Sequence, residues 1–264
     1  MSQDRIIQLR FQLPSAATML LLVCGLILLP GCRGDLPLSE LQKMQASFRA
    51  LPESEQEPAL RVFAAESPAQ SHFAWFELGN IYYDRSSSVL TEAGADPRQR
   101  AALLDSARIF FSRAVAIDST FVEAYVNLGS VWEDVGAMPG FSPTQSRTEA
   151  RESYERALVL RPDDEKARCN LGALYFNQQL TSKALEQFRH VLAVNPRSAL
   201  AHYNMAILFA TSRVYEEAIR EWELASKYDG EGDIGERSRD NIRTIKQMLE
   251  VEIPAELKGD STAG

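Results

Sequence analysis

Leu171-Gly172-Ala173-Leu174-Tyr175 returns, class for class, as Met205-Ala206-Ile207-Leu208-Phe209, 34 residues further along the chain. The same offset relates Ala184 to Ala218 and Phe188 to Trp222. Apolar residues at i, i+3 and i+4 share one face of a helix. Self-similarity at this period belongs to helix-turn-helix repeats. The recurring small residues let the two helices of a unit approach closely, and the aromatic residues fill the space that remains. One such unit cannot bury its apolar faces alone, so neighbouring units must stack.

Working outward, two more copies appear upstream. One holds Trp75, Leu78, Gly79 and Tyr82, then Ala107, Phe111 and Ala114. The next holds Tyr125, Leu128, Gly129 and Trp132, then Ala150, Tyr154, Ala157 and Pro162. The third and fourth depart from the shared pattern at Arg168, Val191, His202 and Gly230, and the first has Ser119 where a Pro is expected. The pattern resembles the tetratricopeptide repeat (TPR) family. Its units carry a bulky residue at position 4, Leu at 7, a small residue at 8, an aromatic at 11, Ala at 20, an aromatic at 24, Ala at 27 and Pro at 32. The resemblance implies an all-α fold, a right-handed α-solenoid of about four TPR helix-turn-helix units with capping helices at both ends.

The expected organisation is a degenerate helical pair over 38–71, TPR units over 72–121, 122–164, 165–198 and 199–232, and a capping helix over 233–251. The first two units are stretched between their helices, with insertions at about 84–96 and 133–142. Asp96-Pro97 and Ser142-Pro143 each read as an N-cap followed by Pro at the first helical position, so the second helices start early, near 97 and 143. Gly94 and the Gly136–Gly140 run are left as loops, which either decorate a binding edge or are neutral. In the degenerate pair Leu41, Met44, Phe48, Val62 and Ala65 are the expected inward positions. Trp75, Trp132 and Trp222 are expected in packing, as is the thiol of Cys169.

The N-terminus reads as an address. Arg5 and Arg10 precede a charge-free, Leu-dominated run from Ser15 to Pro30, which ends in Leu28-Leu29-Pro30-Gly31-Cys32. An apolar run of this length suits a secretory signal. The segment resembles the lipobox of bacterial lipoproteins, which implies removal of residues 1–31, a lipid on Cys32 and a tether over 32–37. An uncleaved signal anchor is the alternative. By the family's sorting rule Arg33 after the Cys implies the outer membrane, in a source with two membranes. The tail over 252–264 is expected to be disordered.

Composition narrows the function. The chain has 264 residues, 45% of them hydrophobic and 24% charged, as in an ordinary globular protein. A net charge of −8 disfavours nucleic acid as a partner, because phosphate is bound by Lys and Arg. Three His and three Cys leave little for a metal site, and no cofactor is expected. No Gly-x-Ser-x-Gly, His-Glu-x-x-His or Gly-rich phosphate loop occurs, so an enzyme is not expected.

What remains is binding. In TPR proteins the first helix of each unit lines a concave groove. Position 6 here is Glu77, Asn127, Asn170 and Asn204; Asn in register resembles a ladder that grips a peptide backbone, since a carboxamide both donates and accepts. Asn is also simply frequent at that position. Phe76, Val126, Cys169 and Tyr203 at position 5, with Tyr83, Glu133, Phe176 and Ala210 at position 12, make the expected groove apolar and aromatic. Lys166 at position 2 is the one cation there, which disfavours a carboxylate clamp. The expected function is a membrane-anchored interaction scaffold or assembly factor of the cell envelope, with a peptide or helical protein segment as ligand. An accessory subunit of an envelope enzyme, such as a cell-wall hydrolase, is the alternative.

Overall fold

The computed structural model describes residues 40–89 and 96–252. The signal segment, Cys32, the tether, Gly94 and the C-terminal tail lie outside the described residues. Eleven α-helices and one short 3-10 turn account for the described secondary structure, and no strand occurs among the described residues. The chain divides into two compact units, residues 1–160 and 161–264.

The first unit holds α1 (Glu40–Arg49), α2 (Glu53–Glu66), the 3-10 turn Pro68–Gln70, α3 (Ser71–Val89), α4 (Pro97–Ile117), α5 (Val122–Val135) and α6 (Pro143–Leu160). The second holds α7 (Glu165–Asn177), α8 (Thr181–Val194), α9 (Ala199–Thr211), α10 (Tyr215–Asp229) and α11 (Asp233–Glu252). Within each unit consecutive helices pack as hairpins and hairpins stack on their neighbours, the construction of an α-solenoid.

The hairpins close on one recurring contact. In each, an aromatic ring on the second helix lies directly over a small residue of the first. A Cβ added to Gly79 would sit 2.5 Å from the ring of Phe111, one at Gly129 2.5 Å from Tyr154, and one at Gly172 2.5 Å from Phe188. In the fourth hairpin Ala206 and Trp222 hold these positions and are buried. Around each ring the alanines are closed off: Ala107, Ala114, Ala150, Ala157, Ala184, Ala218 and Ala225 are all fully buried.

Helix starts follow the caps. Asp96 accepts a hydrogen bond from the Arg98 amide, Asp164 from Ala167 and Ser198 from Ala201. Pro97 and Pro143 open α4 and α6. The turns of the two regular hairpins are the same turn, repeated. Gln179 and Arg213, 34 residues apart, both take a left-handed φ, of 63° and 62°. Leu180 and Val214 then donate back to the carbonyls of Tyr175 and Phe209.

Two details differ from the sequence reading. Residues 84–89 are helix rather than inserted loop, because α3 runs on to Val89. Its three serines bond within the helix, Ser86 and Ser87 to the Tyr83 carbonyl and Ser88 to Asp84, while Val89 and Leu104 are buried. In α2 the expected inward residues Val62 and Ala65 face out, Val62 at 54% exposure, and Leu60 and Ala64 are buried instead. The spacing from Arg168 to Val191 and from His202 to Ala225, applied from Leu41, lands on Ala64, so the expected inward register is one residue late.

Gly172→Ala should cost about 1–3 kcal/mol, because the new methyl must displace the Phe188 ring. Thermal denaturation should also show that Gly172→Ala/Phe188→Leu loses less than the two single changes summed, since contacting residues couple. Full additivity would show that the ring is not held by the glycine.

Candidate functional site

The first helices of the hairpins carry the expected groove residues, and neighbouring helices decide which of them are reachable. In the first unit Phe76 is buried, with ring centroids 5.7 Å from Phe111 and 4.8 Å from Phe121. Tyr83 is buried in the same cluster, and Val126 is also buried. In the second unit Cys169 is fully buried and Tyr203 is buried, its hydroxyl accepting from Asn241 of α11 at 3.2 Å. Phe76, Tyr83 and Tyr203 are therefore corrected from groove lining to packing. Position 5 faces the adjacent helix rather than open space. Burial pushes the Cys169 thiol well above its ordinary pKa, which leaves it neutral and unreactive.

Position 6 has a structural use that sequence spacing does not reveal. Asn127 donates to Asn80 Oδ1 at 2.8 Å, and Asn80 donates to Glu77 Oε1 at 3.1 Å. These bonds tie the first helices of adjacent hairpins together. Asn204 is 5% exposed, and its Oδ1 is buried without a hydrogen-bond partner among the described residues. Asn127 is thus engaged in helix–helix bonding, and Asn204 is closed within its own unit.

Asn127 keeps the same half-burial as Asn170, and the other site residues with exposure lie on α7. Lys166 is exposed, Asn170 is half-buried, and Phe176 is half-buried against the core of the second unit. Lys166 and Asn170 stand one turn apart on the same face. The helix is held from its start: Glu165 accepts from Asn195 at 3.0 Å and from Ser198 at 2.7 Å, which fixes the N-terminus of α7 to that of α9. The face of Lys166 and Asn170 offers a cation and a carboxamide, and Phe176, about a third of a turn round the helix from Asn170, leaves an aromatic edge beside it against the core. Among the described residues no group of three or more His, Cys, Asp or Glu could hold a metal ion.

The departures from the repeat pattern are occupied by polar links. Arg168 donates to the Pro162 carbonyl at 2.8 Å and to Gln187 of α8 at 3.1 Å. His202, 7% exposed, lies between two acceptors: Nδ1 is 2.6 Å from Glu221 Oε2 of α10, and Nε2 is 3.2 Å from the Pro196 carbonyl. Burial alone would lower its pKa, but the bonds to Glu221 and Pro196 outweigh this and raise it. Both ring nitrogens can donate only in the imidazolium form.

Residues 146–179 match the family described as TPR repeat. No curated protein matches the chain in sequence. Among solved structures, a thermophilic TPR protein of Thermus thermophilus is similar at 14% identity and a TM-score of 0.57, over 77% of this chain and 95% of that one. A tetratricopeptide repeat protein from Parabacteroides merdae is similar at 20% identity and a TM-score of 0.55, over 80% of this chain and 74% of the other. A double mutant of MamA from strain RS-1 is similar at 14% identity and a TM-score of 0.51, over 77% of this chain and 99% of that one. At these identities the likeness is one of fold, an α-solenoid of helical hairpins like those of TPR proteins.

His202 gives the second unit a definite pH dependence. A raised folded-state pKa contributes stability that is fully present below the unfolded value, about 6.5, and is lost as pH rises through the folded value. The denaturation midpoint in urea should therefore fall further between pH 6 and 8 in the parent chain than in His202→Gln. Equal falls would show that the ring is not held as imidazolium.

Proposed function

We propose that the chain is a lipid-tethered scaffold of the cell envelope that captures a helical or extended segment of a protein partner on α7. What supports the reading is the distribution of access: α7 gathers Lys166, Asn170 and Phe176 at the surface, while Phe76, Tyr83, Tyr203 and Asn204 are closed by their own neighbours. A TPR hairpin stack uses its small and aromatic residues for internal packing and leaves one face of each first helix for partners. Half-buried apolar edges beside a few polar groups suit a helix laid in a groove.

The tether belongs to the sequence. No described helix is long and apolar enough to cross a membrane, and in this reading anchoring falls to acyl chains on Cys32. Each buried methylene contributes about 0.8 kcal/mol, so more than one chain holds a protein stably on a bilayer. Arg33 after the cysteine favours the outer membrane of a source with two membranes, facing the periplasm. The partner is then another envelope protein, and the role is assembly or positioning rather than catalysis.

Two measurements separate the parts of this proposal. A fatty-acid probe supplied to cells should label the parent chain and not Cys32→Ser; equal labelling would remove the tether. Crosslinked capture from the native envelope should drop at least tenfold for Lys166→Glu/Asn170→Ala, at a melting temperature near the parent's. Unchanged capture would take the binding face off α7.

A further inference from the structure

The described helix that buries none of its own side chains is α1. From Leu41 to Arg49 every residue is exposed or half-buried. The face beneath it is closed: Phe76, Glu77, Asn80 and Tyr83 of α3 are all under 10% exposed. Three residues of α1 on one stripe, spaced i, i+4 and i+8, make the cover. Leu41 packs against the cluster that holds Phe76 and Tyr83. Gln45 donates from Nε2 to Glu77 Oε1 at 2.7 Å. Arg49 reaches Glu77 Oε2 at 3.7 Å.

We propose that this face of α3 and α5 is a docking site for an amphipathic helix bearing an apolar residue, a side-chain amide and a base at i, i+4 and i+8, and that α1 is its resident occupant. The proposal rests on the reading of first-helix faces as docking surfaces. Its chemistry comes from Glu77. The other three units have Asn at this position, and a carboxylate here turns a neutral contact into an acceptor for amide and guanidinium donors. The floor is organised without α1: Asn127 of α5 donates to Asn80, and Asn80 donates to Glu77, which leaves carboxylate lone pairs for an incoming helix.

The two helices of the N-terminal pair are held very differently. Leu60 of α2 is 1% exposed, and Glu57 accepts from Tyr82 at 2.7 Å and from Arg85 of α3 at 2.9 Å. That α2 contact survives the departure of α1. Within the pair, Gln45 stands where the other hairpins have Gly or Ala, so α1 cannot receive a ring as they do. Phe48 of α1 meets Phe63 of α2 edge-on at 5.6 Å and packs half-buried against the cluster of Leu60, Ala64, Ala74, Leu78 and Phe110, so the replacing helix must also carry an apolar residue at i+7. A partner helix with the same stripe can therefore replace α1 while α2 to α6 keep their packing.

The test uses the full chain and a fluorescent, end-blocked peptide of residues 40–51. Binding is read by anisotropy to the parent chain and to Gln45→Ala/Arg49→Glu, whose own α1 is released. The released variant should bind at least tenfold more tightly than the parent. Adding Glu77→Gln to that variant, or replacing the Gln and Arg of the peptide by Ala, should abolish the gain. Hydrogen exchange should show α1 amides exchanging faster than those of α2 in the parent chain. Equal affinity for parent and variant, binding indifferent to Glu77, or α1 protected as well as α2 would each overturn the proposal. Capture through Lys166 and Asn170 does not involve these residues, so failure of one reading leaves the other standing.

Discussion

A ring laid on a residue with little or no side chain is the constraint on which each hairpin depends. Phe111 over Gly79, Tyr154 over Gly129 and Phe188 over Gly172 leave no room for a methyl group, and the alanines beside them are fully buried. Backbone-to-ring contact at this distance sets how far apart the two helices of a hairpin can be. It also sets what the next hairpin meets. Protein interiors tolerate neither voids nor excess volume, so a fixed helix separation fixes the outward ridges on which the neighbour packs. The 34-residue period is thus the length of chain needed to bring one ring to one small residue and return.

That constraint is why the fold was legible. The pentapeptide at 171–175 and its copy at 205–209 carry the small residue and its flanking apolar positions, and the rings follow at a constant distance. The departures were legible as departures but not as contacts. Position 4 of a first helix faces position 23 of the second, and the pair changes chemistry from unit to unit. Trp75 stacks on Phe110 at 5.8 Å, Arg168 bonds Gln187 at 3.1 Å, and His202 meets Glu221 at 2.6 Å. An apolar stack, a neutral acceptor and an ion pair fill one geometric slot. A pattern defined by bulk at position 4 registers Arg and His as mismatches, whereas the slot requires only that both members agree.

The site was less legible because access is a property of neighbours. Helical periodicity places Phe76, Cys169 and Tyr203 on one face, but whether that face meets solvent depends on the helix stacked beside it. Tyr203 is covered by α11 through Asn241, and Phe76 is packed with Phe111 and Phe121. The phase of α2 in fact follows the repeat: counted from Leu41 with the spacing of the third and fourth units, positions 23 and 27 fall on Leu60 and Ala64, the two buried residues, and the expectation of Val62 and Ala65 is a residue out of register. Lys166, Asn170 and Phe176 each keep some exposure within the second unit, where Glu165 fixes the start of α7.

The asparagines then acquire a different weight. A buried carboxamide with no partner costs about 1–3 kcal/mol, so an Asn at a helix–helix boundary selects the one stacking in which its bonds are made. Asn127 makes that bond with Asn80. In the proposed reading the half-buried Asn170 offers the same donor and acceptor to a polypeptide ligand, so stacking and binding would draw on one chemistry. Substituting Glu77 for Asn at one end of the series biases that chemistry toward donors that carry charge. A helix held there by a hydrogen bond, one long ion pair and the half-buried Leu41 and Phe48 occupies the middle ground between a structural neighbour and a bound ligand.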